Sequence, residues 1–167
     1  MTQKPQMSKL GPEHDLGAFD CGNDALNRFF KQHALQGQRI GISQTYVAAI
    51  DRKGAGFHTL VVGEVTHDDA PERLAKGLPR FPIPVAILAR LAVDETWKGK
   101  GLGAALVVDA MRRVLNAAEI AGIRAMLVHA KDDAAQQFYQ HLGFIPFDTK
   151  KLTLYRLLKD IRAMRDG

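Results

Sequence analysis

Pro84-Val-Ala-Ile-Leu-Ala-Arg-Leu-Ala-Val93 and, four residues on, Lys98-Gly-Lys-Gly-Leu-Gly103 decide the fold. The first run is apolar but for Arg90, the pattern of a central strand covered on both faces. From Leu102 the apolar residues recur at helical spacing, Leu102, Leu106, Ala110, Val114 and Ala117, widened by Val107, Met111 and Leu115. Asp109, Arg112, Arg113 and Asn116 take the other face, and Gly122 is the expected stop. A strand therefore runs through a glycine turn into a long helix. The first four N–H groups of such a helix need partners, and no Ser, Thr, Asp or Asn between Lys98 and Gly103 caps them. Gly99, Gly101 and Gly103 admit another molecule close to the backbone, and the helix dipole favours an anion there, so a phosphate or pyrophosphate fits. Lys98 and Lys100 add charge at the same place. Glycine spacing alone leaves a water-capped turn equally open. The turn is not a Walker A loop, because Lys100 is followed by Gly101 rather than Ser or Thr. Nor is it the dinucleotide fingerprint, since Leu102 and Gly103 break G-x-G-x-x-G.

Working outward, the 167 residues, 46% hydrophobic and 25% charged, suffice for one core and read as a single domain spanning 1–167, with 1–18 as a polar lead-in. A formal charge of +5 points to an acidic partner, of which nucleic acid is the commonest, or to a solvated basic surface. The single cysteine, Cys21, excludes an internal disulfide and leaves no cysteine-based metal site, and no metal is expected. No window approaches the roughly 18 apolar residues of a membrane span, so a cytoplasmic protein is expected.

Before the central strand, Asn23 or Asp24 caps a helix whose buried stripe is Leu26, Phe29, Phe30 and His33. Residues 43–50 and 57–65 form a hairpin turned at 51–54, and 66–84 is a loop with one helical turn near 72–76. After the central helix come a strand at 124–129, a short helix at 131–144 capped by Asp133 with Gln136, a strand at 152–155 and a terminal helix at 157–164. Periodicity yields an α/β mixture and no more.

Lys98-Gly-Lys-Gly101-Leu-Gly103 resembles motif A of the GNAT acetyltransferases, Gln/Arg-x-x-Gly-x-Gly/Ala, which binds the pyrophosphate of coenzyme A; Lys98 replaces the usual Gln or Arg and keeps a donor. The resemblance implies the GNAT fold, a mixed and mainly antiparallel twisted sheet flanked by helices with a parallel pair around the central helix. It implies acetyl-CoA as co-substrate, held by Lys98, Gly99, Lys100, Gly101, Leu102, Gly103 and Ala104. It further implies that the central strand offers its backbone at Leu91 and Val93 to the pantetheine arm. Tyr139, in Ala134-Ala-Gln-Gln-Phe-Tyr139, sits where many GNAT enzymes keep the tyrosine that protonates the departing thiolate. An ordinary Tyr, with pKa about 10, is protonated at neutral pH and can donate to a thiolate whose thiol ionises near about 8.5. Glu64 and Asp94 are the candidates for a general base, while His58 and His129 read as core histidines. An α-amine, with pKa about 7.7–8.0 against about 10.4 for lysine, would need little help from a base.

Four blocks, 19–30, 44–47, 88–94 and 127–135, resemble the TacT-like and AtaT-like GNAT toxins of bacterial toxin–antitoxin modules over nearly the whole chain. That resemblance implies acetylation of the α-amine of aminoacyl-tRNA, arrest of translation, neutralisation by a ribbon-helix-helix antitoxin, and a homodimer. Ala89 departs from the Gly that relatives often place before Arg90. Arg90, Lys98 and Lys100 are the candidates for tRNA contact, since backbone phosphates favour Lys and Arg. The alternatives are an acetyltransferase of small amines or protein N-termini, and a CoA-binding regulatory module.

Overall fold

The computed structural model describes residues 3–166. In chain order it contains β1 (Gln6–Lys9), α1 (Asp24–Arg28), α2 (Ala34–Arg39), β2 (Gln44–Ile50), β3 (Lys53–Val65), α3 (Glu72–Ala75), β4 (Ile83–Val93), α4 (Leu102–Ala118), β5 (Ala125–His129), α5 (Asp133–His141), β6 (Ile145–Pro146), β7 (Thr153–Leu157) and α6 (Leu158–Asp166). The strands are hydrogen-bonded in the order β1-β2-β3-β4-β5-β7-β6. β4 and β5 pair in parallel, which α4 permits as their crossover, while β1–β2, β2–β3, β5–β7 and β6–β7 are antiparallel. The mixed, mainly antiparallel sheet expected from the family resemblance is the one observed. Among the described residues no helix is long and apolar enough to cross a membrane.

The chain divides into two compact units, one of residues up to Val61 with Ala89–Ala110, the other of Val62–Leu88 with the chain from Met111 onward. In the first, β2 and β3 meet through a two-residue turn in which Asp51 and Arg52 both take positive φ, 48° and 70°, the geometry that matches strand twist in a tight hairpin. The segment expected as a lead-in contains β1, which pairs along β2 from Gln6↔Ala49 to Lys9↔Tyr46. As an edge strand it is mostly exposed and carries no apolar alternation, so only its backbone declares it. Phe30 stacks on Phe57 at 4.1 Å and meets Phe19 edge-on at 4.8 Å, and both Phe30 and Phe57 are fully buried. Burial of this kind contributes roughly 1.5–3 kcal/mol per side chain.

Asn23 caps α1, accepting from the Leu26 N–H at 3.0 Å. The stripe expected on this helix then shifts, because Phe29–His33 forms a π-helical turn. The wider turn places Ala34 and Gly37 in the core and leaves His33 exposed. His58, also in this unit, is wholly buried on β3, and its Nε2 lies 2.8 Å from Asp109 Oδ2 on α4. The Tyr46 ring stacks on the imidazole at 5.2 Å. Asp109 is therefore a brace between strand and helix, not a member of the solvent face. Asp109→Ala should lower stability by about 1–3 kcal/mol, because it strands a buried polar partner. Urea denaturation measures this, and a loss under about 1 kcal/mol would remove the brace from the account.

In the second unit, Leu74, Ile83, Val85, Ala125, Leu127 and Leu157 form the core. The parallel pairing runs from Val85↔Ala125 to Leu88↔Val128, and β4 continues beyond it to Val93. α4 ends at Ala118, short of the expected stop: the Glu119 and Ile120 N–H groups close a tighter turn on Asn116 and Ala117, and Gly122 lacks the positive φ of a helix-ending glycine. α5 is capped by Asp132, which accepts from the Ala135 N–H at 2.9 Å, one residue earlier than expected.

Candidate functional site

The glycine turn is built on a short, fully bonded platform. β4 ends where the Asp94 N–H donates to Ala55 O at 2.8 Å and the Glu95 N–H to Asp20 O at 2.9 Å. The Asp94 carboxylate then accepts from the Asp20 N–H at 3.0 Å, the Thr96 N–H at 2.9 Å and the Thr96 hydroxyl at 2.7 Å. Burial alone would raise its pKa, but these bonds outweigh it and hold the carboxyl below the ordinary value. Asp94 is thus a helix cap with its oxygens engaged, which argues against the role of general base.

From this platform Gly99 and Gly101 take φ of 77° and 83°. A Cβ at either position would meet nothing within 4 Å, so backbone conformation demands the glycines and the space above them is open. The first helical bond runs from the Ala105 N–H to Gly101 O at 3.1 Å. The amides of Leu102, Gly103 and Ala104 precede it and point out of the helix N-terminus, as an anion site requires. Leu91 and Val93 are half-buried against Ala48, Ala55, Leu102 and Leu106, and lie beyond the last residue of β4 paired with β5. This turn fits a pyrophosphate-bearing ligand through backbone donors alone.

The three basic candidates have different surroundings. Lys98 Nζ donates to Cys21 O at 2.7 Å and to Glu95 Oε1 at 3.1 Å, so it ties the turn to the chain before α1. Lys100 Nζ lies 5.0 Å from the Trp97 ring centroid. Arg90 covers the Phe29 ring at 3.8 Å and lines a cleft of about 540 Å³ with Arg28, His33, Gln36 and Ile42. Arg28 and His33 were not singled out as site residues from sequence; the π-helical turn is what brings His33 here, and side-chain chemistry does not announce it.

Tyr139, in the other unit, is the buried residue of α5, 7% exposed, and its ring meets Phe138 at 5.1 Å and Phe144 at 5.8 Å, both edge-on. No group among the described residues hydrogen-bonds its hydroxyl, and that oxygen is not among the fully buried unpartnered atoms. Burial pushes its pKa up to about 12, so it stays protonated throughout the physiological range. The helix end behind it is fixed: Gly143 takes φ 93°, the Phe144 N–H donates to Tyr139 O at 3.1 Å, and Arg156 Nη1 donates to Leu142 O at 2.8 Å. Glu64 is exposed on β3, and His129, expected in the core, is exposed with Nδ1 3.2 Å from the Thr153 hydroxyl.

The profile of the acetyltransferase (GNAT) domain matches residues 41–146. A tRNA-acetylating toxin of Mycobacterium tuberculosis (strain ATCC 25618 / H37Rv) is 39% identical over 156 residues, which cover 93% of each chain. Among solved structures, AtaT complexed with acetyl-methionyl-tRNAfMet superposes with a TM-score of 0.87 at 32% identity, covering 96% of this chain and 98% of the other. A tyrosine-to-phenylalanine mutant of AtaT, bound to the C-terminus of the antitoxin AtaR and to acetyl-CoA, gives a TM-score of 0.82 at 33% identity, with 97% and 98% covered.

Proposed function

This chain belongs to the GNAT family of acetyltransferases, and from that premise we propose that it is a toxin that moves the acetyl group of acetyl-CoA to the α-amine of aminoacyl-tRNA and so arrests translation. The observation that carries the reading is the 39% identity to a tRNA-acetylating toxin along 93% of the chain. The glycine turn supplies the matching chemistry. Backbone amides at 101–104 receive the pyrophosphate of acetyl-CoA, and the β4 backbone at Leu91 and Val93 receives the pantetheine arm. Lys98 shapes the turn through Cys21 and Glu95, while Lys100 and Arg90 are the cations offered to tRNA.

In the transfer, the amine nitrogen bonds to the acetyl carbon as the carbon–sulfur bond breaks; nitrogen loses a proton and sulfur gains one. Tyr139 donates to the departing sulfur. Its pKa of about 12 makes it a weaker acid than a thiol near about 8.5, so hydrogen-bond donation in the transition state is the larger part of its role. With Asp94 engaged as a cap, an acceptor amine that is already substantially neutral at physiological pH suits the site. The same reading includes a ribbon-helix-helix antitoxin, a homodimer and a cytoplasmic setting, in keeping with relatives of toxin–antitoxin systems.

Incubating the protein with acetyl-CoA and a panel of charged tRNAs, then identifying the products by mass spectrometry, tests this. Acetylated aminoacyl-tRNA of at least one kind is expected. Acetyl-CoA consumed with small amines or peptide N-termini, and with no charged tRNA, would reassign the acceptor.

A further inference from the structure

A second basic cleft, of about 490 Å³, lies in the unit that carries Tyr139 and includes Arg73, Lys76, Arg124 and Lys159. Glu72 and Asp148 also line it, and Arg73 is paired with Asp160 at 2.8 Å, so its charge is partly compensated. Arg124 differs. Its Nε donates to Leu74 O at 3.1 Å and its Nη2 to Lys76 O at 3.3 Å. Both acceptors are neutral carbonyls, which fix the guanidinium without cancelling its charge and leave donors unused. Lys76 and Lys159 are exposed and line the same cleft.

Tyr155 supplies an independent sign. It is 3% exposed, lies edge-on to Phe147 at 5.7 Å, and lines the cleft, yet no group among the described residues hydrogen-bonds its hydroxyl. Its oxygen is not among the fully buried unpartnered atoms, so the hydroxyl reaches the cleft surface as a donor that no group among the described residues uses. The guanidinium and ammonium groups offer only donors and positive charge, and the tyrosine hydroxyl can donate beside them, which suits an acceptor-rich anion, the chemistry of a phosphate.

The place of the cleft separates it from acetyl transfer. Arg124 precedes β5, whereas α5 and Tyr139 follow the other end of that strand, roughly 16 Å away at about 3.3 Å per residue. Further along α6, Arg162 follows Lys159 by three residues, whereas Arg165 is paired with Asp166 at 2.9 Å.

We infer that this cleft is a second phosphate subsite, which holds the sugar–phosphate backbone of tRNA away from its aminoacylated end. The inference rests on the tRNA reading above. Two variants test it: Lys76→Ala/Lys159→Ala, which removes two exposed cations, and Tyr155→Phe, which removes only the hydroxyl. The binding of deacylated tRNA is measured against salt, and acetylation kinetics are measured on full-length aminoacyl-tRNA and on an aminoacylated CCA trinucleotide. The double variant should bind tRNA roughly tenfold more weakly and lose about two units of salt slope. KM for full-length substrate should rise in step, with kcat and all trinucleotide kinetics unchanged. Tyr155→Phe should weaken tRNA binding by about threefold and leave the trinucleotide unaffected. Unchanged tRNA affinity in both variants overturns the subsite, and so does an equal loss on the trinucleotide or a wild type without affinity for tRNA. Cleft-dependent tRNA binding by a wild type that acetylates no charged tRNA would instead sink the acetylation reading and leave the subsite standing.

Discussion

Tyr139→Phe should slow acetyl transfer by roughly 10²- to 10⁴-fold while leaving acetyl-CoA affinity within a few-fold of wild type. The substitution removes one oxygen and keeps the ring between Phe138 and Phe144, so the packing of α5 survives. No protein group bonds the hydroxyl among the described residues, so no buried hydrogen bond is lost and the melting temperature should hardly move. A purely structural tyrosine would give the opposite pattern, with turnover preserved or stability and turnover lost together. Turnover within a few-fold of wild type would end the catalytic assignment. The pH profile adds a second reading. Because burial raises the Tyr139 pKa to about 12, the donor stays loaded well above neutrality, and turnover should climb as the acceptor amine deprotonates near pH ~8. No descending limb from Tyr139 should enter below about pH 11. A fall centred near pH ~9 would mean that another acid, with a lower pKa, protonates the thiolate. Expression without antitoxin should be tolerated for the variant and toxic for the wild type.

The parts of this protein that were legible in sequence are those in which side chains and backbone agree. The β4 run is apolar because both faces are covered, and the α4 stripe recurs because one face is buried, so strand, turn and helix could be placed to within a few residues. Tyr139 could be singled out only through the family motif, since nothing in the pattern of α5 marks it as more buried than Phe138. Where backbone geometry acts alone, side chains are silent. β1 is an edge strand with little to bury, and the π-helical turn at Phe29–His33 follows from no composition rule, yet it moves His33 from the core to the Arg90 cleft. Charge, too, carries no direction. Lys98 and Lys100 stand two residues apart, but one is turned back on Cys21 and Glu95 and the other lies against Trp97.

Gly101→Val should weaken acetyl-CoA binding by at least about 100-fold in a protein that remains folded. Two effects of the substitution must be told apart, because Gly101 sits at φ 83° and a β-branched residue there is strained wherever it occurs. Such strain costs about 1–3 kcal/mol and would lower stability without bearing on a ligand. Gly41 provides a matched comparison, with φ 81° and, like Gly101, nothing within 4 Å of an added Cβ. Gly41→Val should therefore lose similar stability while keeping its acetyl-CoA affinity. At Gly101 the branched side chain would rise into the open space over the turn, where the amides of the α4 N-terminus face outward. Holding a pyrophosphate oxygen off those amides forfeits charge-assisted hydrogen bonds worth about 1.5–3 kcal/mol each, and two of them account for a loss of about 100-fold or more. Calorimetric titration with acetyl-CoA, run beside thermal melts of both variants, separates the outcomes. Equal affinity losses in the two variants would trace the effect to general strain. Undiminished affinity in a folded Gly101→Val protein would move the pyrophosphate away from this turn.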